Sequence, residues 1–61
     1  MHIRAILSRT ELISEAGRLN NHPALVNVDH VTIMGLMDRD ECEHHVAKLR
    51  EYVARSEKGA R

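Results

Sequence analysis

The 61 residues include nine basic and nine acidic side chains, so the formal net charge at pH 7 is zero. Hydrophobic residues make up 43% of the sequence, but Tyr52 is the one residue from the Phe, Trp and Tyr set and Cys42 is the one cysteine. An intramolecular disulfide is therefore excluded. Because a domain of about 60 residues buries only ~60% of the surface of its unfolded chain, we expect residues 1–61 to form one small domain whose stability depends on a metal, a partner or very efficient packing.

The composition also bears on location. No run approaches the ~20 apolar residues that a membrane span needs. The apolar run at the start of the sequence stops at Ser8, which makes it too short for the core of a secretory signal. A single unpaired cysteine is typical of a reducing compartment. We therefore expect a cytoplasmic protein that does not bind membranes.

The basic residues do not form the stripe that proteins binding duplex DNA carry. They are scattered among acids, at Arg4, Arg9, Arg18, Arg39, Lys48, Arg50, Arg55, Lys58 and Arg61. The absence of Phe and Trp also removes the platforms on which single-stranded bases stack. The composition therefore does not support nucleic acid as a partner. A dimeric DNA-binding module, clustering Arg4, Arg9 and Arg18 from two copies, is one alternative function.

The first third of the chain predicts a strand followed by a helix. Residues 2–7 alternate loosely between apolar and other side chains, as in a strand at the edge of a sheet. Ser8 and Glu11 then have the spacing of a capping box, in which each residue satisfies the other's backbone N–H. We expect a helix over 9–20, with close packing as the reason for Gly17 within it.

The middle segment, residues 24–37, admits two interpretations. Five of the nine positions 26–34 are β-branched, which favours a second strand. The alternation breaks at Asp29 and His30, where a bulge or a tight turn would be needed. The competing interpretation is a short helix that is capped by Asp29 and covers 30–37.

The last segment predicts an amphipathic helix of about 18 residues. Asp38 and Glu41 repeat the capping pattern at its start. An apolar stripe follows at spacings of three and four, formed by Cys42, His45, Val46, Leu49, Tyr52 and Val53. We expect the end of the sequence, residues 56–61, to fray.

These elements together predict an α+β fold with the order strand, helix, strand, helix. The strands would pair within the chain or across a homodimer, and the final helix would pack on them. The alternative is an all-α fold, either a helical hairpin or three helices.

One constellation could bind a metal. Asp38, Cys42 and His45 lie at positions i, i+4 and i+7 of the final helix, and their side chains suit zinc, nickel or copper. A second copy, or His30, could complete such a site. Each residue also has a simpler explanation, because Asp38 caps the helix, Cys42 is a small buried hydrophobe and His45 flanks the apolar stripe. We expect no bound metal or other cofactor, and a metal-responsive regulator using these three residues is the second alternative function.

No catalytic constellation is present, and we expect the protein not to be an enzyme. The thiol of Cys42 lies among four acidic residues, whose negative field disfavours the thiolate. The sequence has no glycine-rich phosphate loop, no nucleophile elbow and no H-E-x-x-H motif.

The apolar positions predict a function in binding. We expect a non-enzymatic regulatory or inhibitory protein that acts by protein–protein binding, as a homodimer. The interface would use the methionine-rich cluster before the final helix and the stripe along it. These residues are Ile33, Met34, Leu36, Met37, Val46, Leu49, Tyr52 and Val53.

Overall fold

The computed structural model describes residues 6–59, which contain three helices. They are α1 (Arg9–Leu19), α2 (His30–Met34) and α3 (Arg39–Gly59). No strand occurs among residues 6–59. The predicted α+β fold is therefore wrong, and the described chain is a small all-helical fold of three helices, which was the alternative.

The first predicted strand, 2–7, lies mostly outside the described residues. Its two described members, Ile6 and Leu7, have no regular secondary structure. The backbone carbonyl of Leu7 accepts a hydrogen bond from Arg39 Nε at 2.9 Å, and the Leu7 side chain packs against the core. Leu7 is thus held by Arg39 at its carbonyl and by the core at its side chain, and neither Ile6 nor Leu7 pairs in a sheet.

Helix α1 begins where the sequence predicts. The Glu11 backbone N–H donates to Ser8 Oγ at 3.1 Å, and the Ser8 N–H donates to Glu11 Oε1 at 2.8 Å, which completes the capping box. The helix ends at Leu19 with Asn20 as its C-terminal cap, one residue short of the predicted end.

The second predicted strand, in 24–37, is also wrong. Successive turns occupy the chain between α1 and α2, with the N–H of Leu25 donating to His22 and that of Val28 donating to Leu25. These local bonds use backbone groups that a strand would offer to a neighbour. The β-branched residues were a misleading signal, since tertiary and side-chain contacts override β-propensity.

The side chain of Asn20 holds this loop in place. Its Nδ2 donates to the carbonyls of Leu25 at 3.1 Å and Val28 at 2.9 Å, and its Oδ1 accepts from the His30 N–H at 2.7 Å. One amide group thereby satisfies three backbone groups between the end of α1 and the start of α2.

Helix α2 is the short helix that the competing interpretation placed after Asp29. The Asp29 carboxylate accepts from the Thr32 N–H at 3.1 Å and from Thr32 Oγ1 at 2.7 Å. The helix ends at Met34, earlier than 37. Beyond it, the guanidinium of Arg9 donates to the carbonyls of Gly35 at 2.7 Å and Met37 at 2.8 Å. Arg9 thus satisfies two carbonyls of the connection between α2 and α3.

Helix α3 is the longest element, with 21 residues. Its start was predicted correctly, because the Asp38 N–H donates to Glu41 Oε1 at 2.9 Å and the Glu41 N–H donates to Asp38 Oδ1 at 2.8 Å. The helix continues to Gly59, through the described part of the segment 56–61.

The core lies where α1 and α3 pack together, with α2 contacting both. Its buried members are apolar: Leu12, Ala16, Leu25, Met34, Cys42, Val46 and Leu49. An ion pair on the surface adds to the contact between α1 and α3, because Arg50 donates two hydrogen bonds to the Glu15 carboxylate. These bonds from Arg50 lower the pKa of Glu15, against the opposing effect of its partial burial.

Gly17 faces α2 without being enclosed by it. A methyl group added at Gly17 would lie 3.6 Å from Cγ2 of Val31, an ordinary contact distance. The expectation that close packing requires glycine here is therefore wrong.

We predict that Gly17→Ala raises the free energy of unfolding by about 0.5–1 kcal/mol, because alanine loses less backbone entropy in a helix. Urea denaturation of both proteins measures the change. Gly17→Ile is the contrasting variant, since its larger side chain must displace Val31. An alanine variant less stable than the original protein would contradict the prediction.

Candidate functional site

A groove of about 360 Å³ lies between the loop before α2 and the middle of α3. Its lining is mostly apolar and consists of Ala24, Leu25, Asn27, Val28, His30, Lys48, Leu49 and Tyr52. Leu25 and Leu49 belong to the core and are buried, whereas Val28 is 45% exposed and Tyr52 is 54% exposed. The groove is thus continuous with the core at one side and open to solvent at the other.

Two parts of the sequence build this groove. The hydrogen bonds from Asn20 to the carbonyls of Leu25 and Val28 fix the loop that forms one wall. On α3, Lys48 and Tyr52 are four residues apart and therefore lie on the same side of the helix, where they form the other wall.

The exposed apolar side chains of the groove face a shared concave surface. Single apolar residues scattered over a surface are ordinary in soluble proteins. Val28 and Tyr52 differ from that case because both line one groove, beside the buried Leu49. A concave and mostly apolar lining with a few polar groups is the usual form of a binding site, and the groove has this form.

A pair of histidines lies beside the groove. Nδ1 of His30 is 3.1 Å from Nε2 of His45, and the centroids of the two rings are 5.2 Å apart. For these two nitrogens to form a hydrogen bond, one must carry a hydrogen and the other must have a free lone pair. The hydrogen bond therefore requires at least one of the two rings to be neutral. It links the first residue of α2 to the second turn of α3.

The surroundings of His45 favour its neutral form. Burial is the largest cause of a lowered pKa for His45, and the positive charges of His30, Lys48 and His44 lower it further. The folded protein consequently binds this proton less readily than the unfolded chain, in which histidine has its ordinary pKa of 6.5.

We predict that the protein loses stability as the pH falls from about 7.5 to about 5.5, because the unfolded state takes up the His45 proton first. His45→Gln should reduce this loss, whereas His44→Gln, which alters an exposed histidine, should retain most of it. Urea midpoints at the two pH values measure the effect. The carboxylates with lowered pKa values, Glu11, Glu15 and Asp29, act only at more acidic pH. Equal midpoints for the original protein at both pH values would contradict the prediction.

The residues of the candidate metal constellation have separate roles in the structure. Asp38 caps α3, and Cys42 is fully buried with its thiol 3.5 Å from the carbonyl of Met34. His45 instead meets His30, which the sequence offered as a completing ligand. Within residues 6–59, no group of three or more His, Cys, Asp or Glu side chains is arranged to hold a metal ion.

The residues of the predicted interface divide into two sets. Exposed members are Ile33, at 39%, Leu36, at 91%, and Tyr52. The others belong to the core of this chain or pack against it: Met34, Met37, Val46, Leu49 and Val53. Of the exposed three, only Tyr52 lines the groove.

The three arginines of the DNA-binding alternative differ in what the structure shows of their side chains. Arg4 lies outside the described residues. The guanidinium of Arg9 is bonded to backbone carbonyls beyond α2, and the side chain of Arg18 is exposed on α1.

Two features of the groove were missed in the sequence. Val28 was interpreted as part of a strand, and Lys48 was considered only as one of the scattered basic residues. Asn20 was the one sequence feature that could have indicated an ordered loop here, because an asparagine after a helix can form hydrogen bonds to nearby backbone groups. Its partners in the loop could not be identified from spacing alone.

Comparison of the chain with family models, curated proteins and solved structures gives no match. Among residues 6–59, no helix is both long enough and apolar enough to cross a membrane.

Proposed function

We propose that the protein is a non-enzymatic regulator or inhibitor that binds another protein through the groove. The observation that carries this proposal is the half-exposed pair Val28 and Tyr52 on one concave apolar surface. A partner side chain placed between them would remove apolar area from water, which contributes about 25 cal/mol per Å². Tyrosine is also among the residues that most often dominate the binding energy of protein interfaces.

The size of the groove suits a side chain of a partner. At about 360 Å³ it lies near the lower end of the ~300–1,000 Å³ range of small-molecule sites. Its polar groups, from Asn27, His30, Lys48 and Tyr52, stand around a mainly apolar surface. Such a lining provides contact area with a few polar groups that fix orientation.

A second surface supports self-association as part of the proposal. Leu36 donates its N–H to the Ile33 carbonyl at 3.1 Å, so these two exposed apolar residues lie within one turn of each other at the end of α2. A formal net charge of zero places little overall repulsion between two copies. We propose that copies pair through this Ile33–Leu36 surface, neither residue of which lines the groove.

We predict that Leu36→Glu converts the dimer to a monomer, because the interface would bury a carboxylate without a partner. Sedimentation equilibrium at about 100 μM protein measures the mass. Ala54→Glu adds the same charge at an exposed position of α3 and should leave the dimer intact. If the original protein is a monomer at this concentration, self-association through Leu36 is wrong.

We predict that Tyr52→Ala lowers partner binding by ~30-fold or more, the effect of losing about 2 kcal/mol at an aromatic anchor. Affinity capture from the organism that encodes the protein would compare the original protein, Tyr52→Ala and Leu36→Glu by quantitative mass spectrometry. A partner should be retained by Leu36→Glu and lost by Tyr52→Ala, and calorimetry with that purified partner would then give the affinities. If no captured protein depends on Tyr52, the groove does not carry the function.

A further inference from the structure

The groove contains one permanent positive charge without a partner in the described structure. The exposed side chain of Lys48 lines it and forms no ion pair or hydrogen bond with another residue of 6–59. By contrast, Arg39, Arg50 and Arg55 each pair with a carboxylate. Lys48 therefore has a free ammonium group beside an apolar surface.

Within 6–59, no acidic residue lines the groove, and the nearby carboxylates Asp29 and Glu51 are engaged elsewhere. Asp29 accepts two hydrogen bonds from Thr32 at the start of α2. Glu51, which follows Lys48 by three residues on α3, forms an ion pair with Arg55 at 3.3 Å. An occupant with a negative charge would consequently meet a complementary charge at Lys48 and no opposing carboxylate on the lining.

We propose that the groove recognises a segment of a partner protein in which a large apolar side chain lies beside a carboxylate. The apolar side chain would contact Val28, Leu49 and Tyr52, and the carboxylate would pair with the ammonium of Lys48. This inference rests on the proposed function, in which the groove binds a protein, and it adds the chemistry of the segment that is bound.

The two contacts have different physical effects. Burial of the apolar side chain supplies most of the affinity, because it removes area of both molecules from water. The ion pair supplies specificity, since a neutral segment would fill the groove while leaving the ammonium of Lys48 unpaired in a partly desolvated position. Replacing Lys48 should thus remove a preference for acids more than it removes binding itself.

The test uses 1-naphthylacetate and 1-naphthylacetamide, two probes with the same aromatic group and a similar shape. The first carries a carboxylate and the second a neutral amide. We expect both probes to shift the amide resonances of Val28, Leu49 and Tyr52 in two-dimensional NMR. The acid should bind about 5–10-fold more tightly, a difference of ~1–1.4 kcal/mol.

Variants of Lys48 separate charge from contact area. Lys48→Gln should reduce the acid to the affinity of the amide, and Lys48→Arg should keep the preference. Lys58→Gln removes an exposed lysine near the end of α3 and should change neither probe. Tyr52→Ala should weaken both probes, and the NMR spectra of the free variants would confirm that each is folded.

The possible failures are distinguishable. Equal affinities of the two probes for the original protein would overturn recognition of a carboxylate while leaving the groove as a binding surface. If neither probe shifts the groove resonances, the inference and the proposed function both fail. A dimer that 1-naphthylacetate dissociates would show that a second copy occupies the groove, and would overturn the assignment to a separate partner segment.

Discussion

The hydrogen bonds of the Asn20 side chain are the constraint on which the rest of the structure depends. They satisfy two carbonyls of the loop and the first N–H of α2, with distances between 2.7 and 3.1 Å. Because these backbone groups are satisfied locally, the chain from Leu25 to His30 needs no neighbouring strand. The same bonds bring Leu25 into the core and leave Val28 at the mouth of the groove. The loop that the Asn20 side chain holds is thus also one wall of the candidate site.

The helix starts could be predicted from sequence because capping acts over three residues. Ser8 with Glu11, and Asp38 with Glu41, form reciprocal bonds whose spacing is visible in the sequence. The middle of the chain could not be predicted in this way, since Asn20 reaches eight residues to Val28. A run of β-branched residues indicates only a local preference, and turns held by a distant side chain override it.

Only part of the candidate site could be predicted from the sequence. The apolar stripe of the last helix identified Tyr52, but it did not separate residues that form the core from residues that remain exposed. A chain this small uses the middle of the stripe, Val46 and Leu49, to build its own core. Tyr52 lies one turn further along α3 and stays half exposed. Lys48 became informative only when the position of the loop showed that it borders a groove.

The way the loop is held has a consequence for the proposed binding of a partner. Between Asn20 and Asp29, Leu25 is the only fully buried residue, so the loop is held chiefly by this side chain and by the Asn20 bonds. Segments with few buried apolar contacts open at a lower free energy than the core does. A side chain bound against Val28 would add apolar contact to the same loop. Order in the loop and binding at the groove would then be thermodynamically linked. If a bound side chain stabilises the ordered loop by a given factor, ordering the loop strengthens binding by the same factor. If the groove binds a partner as proposed, its affinity depends in part on Asn20, which does not line the groove.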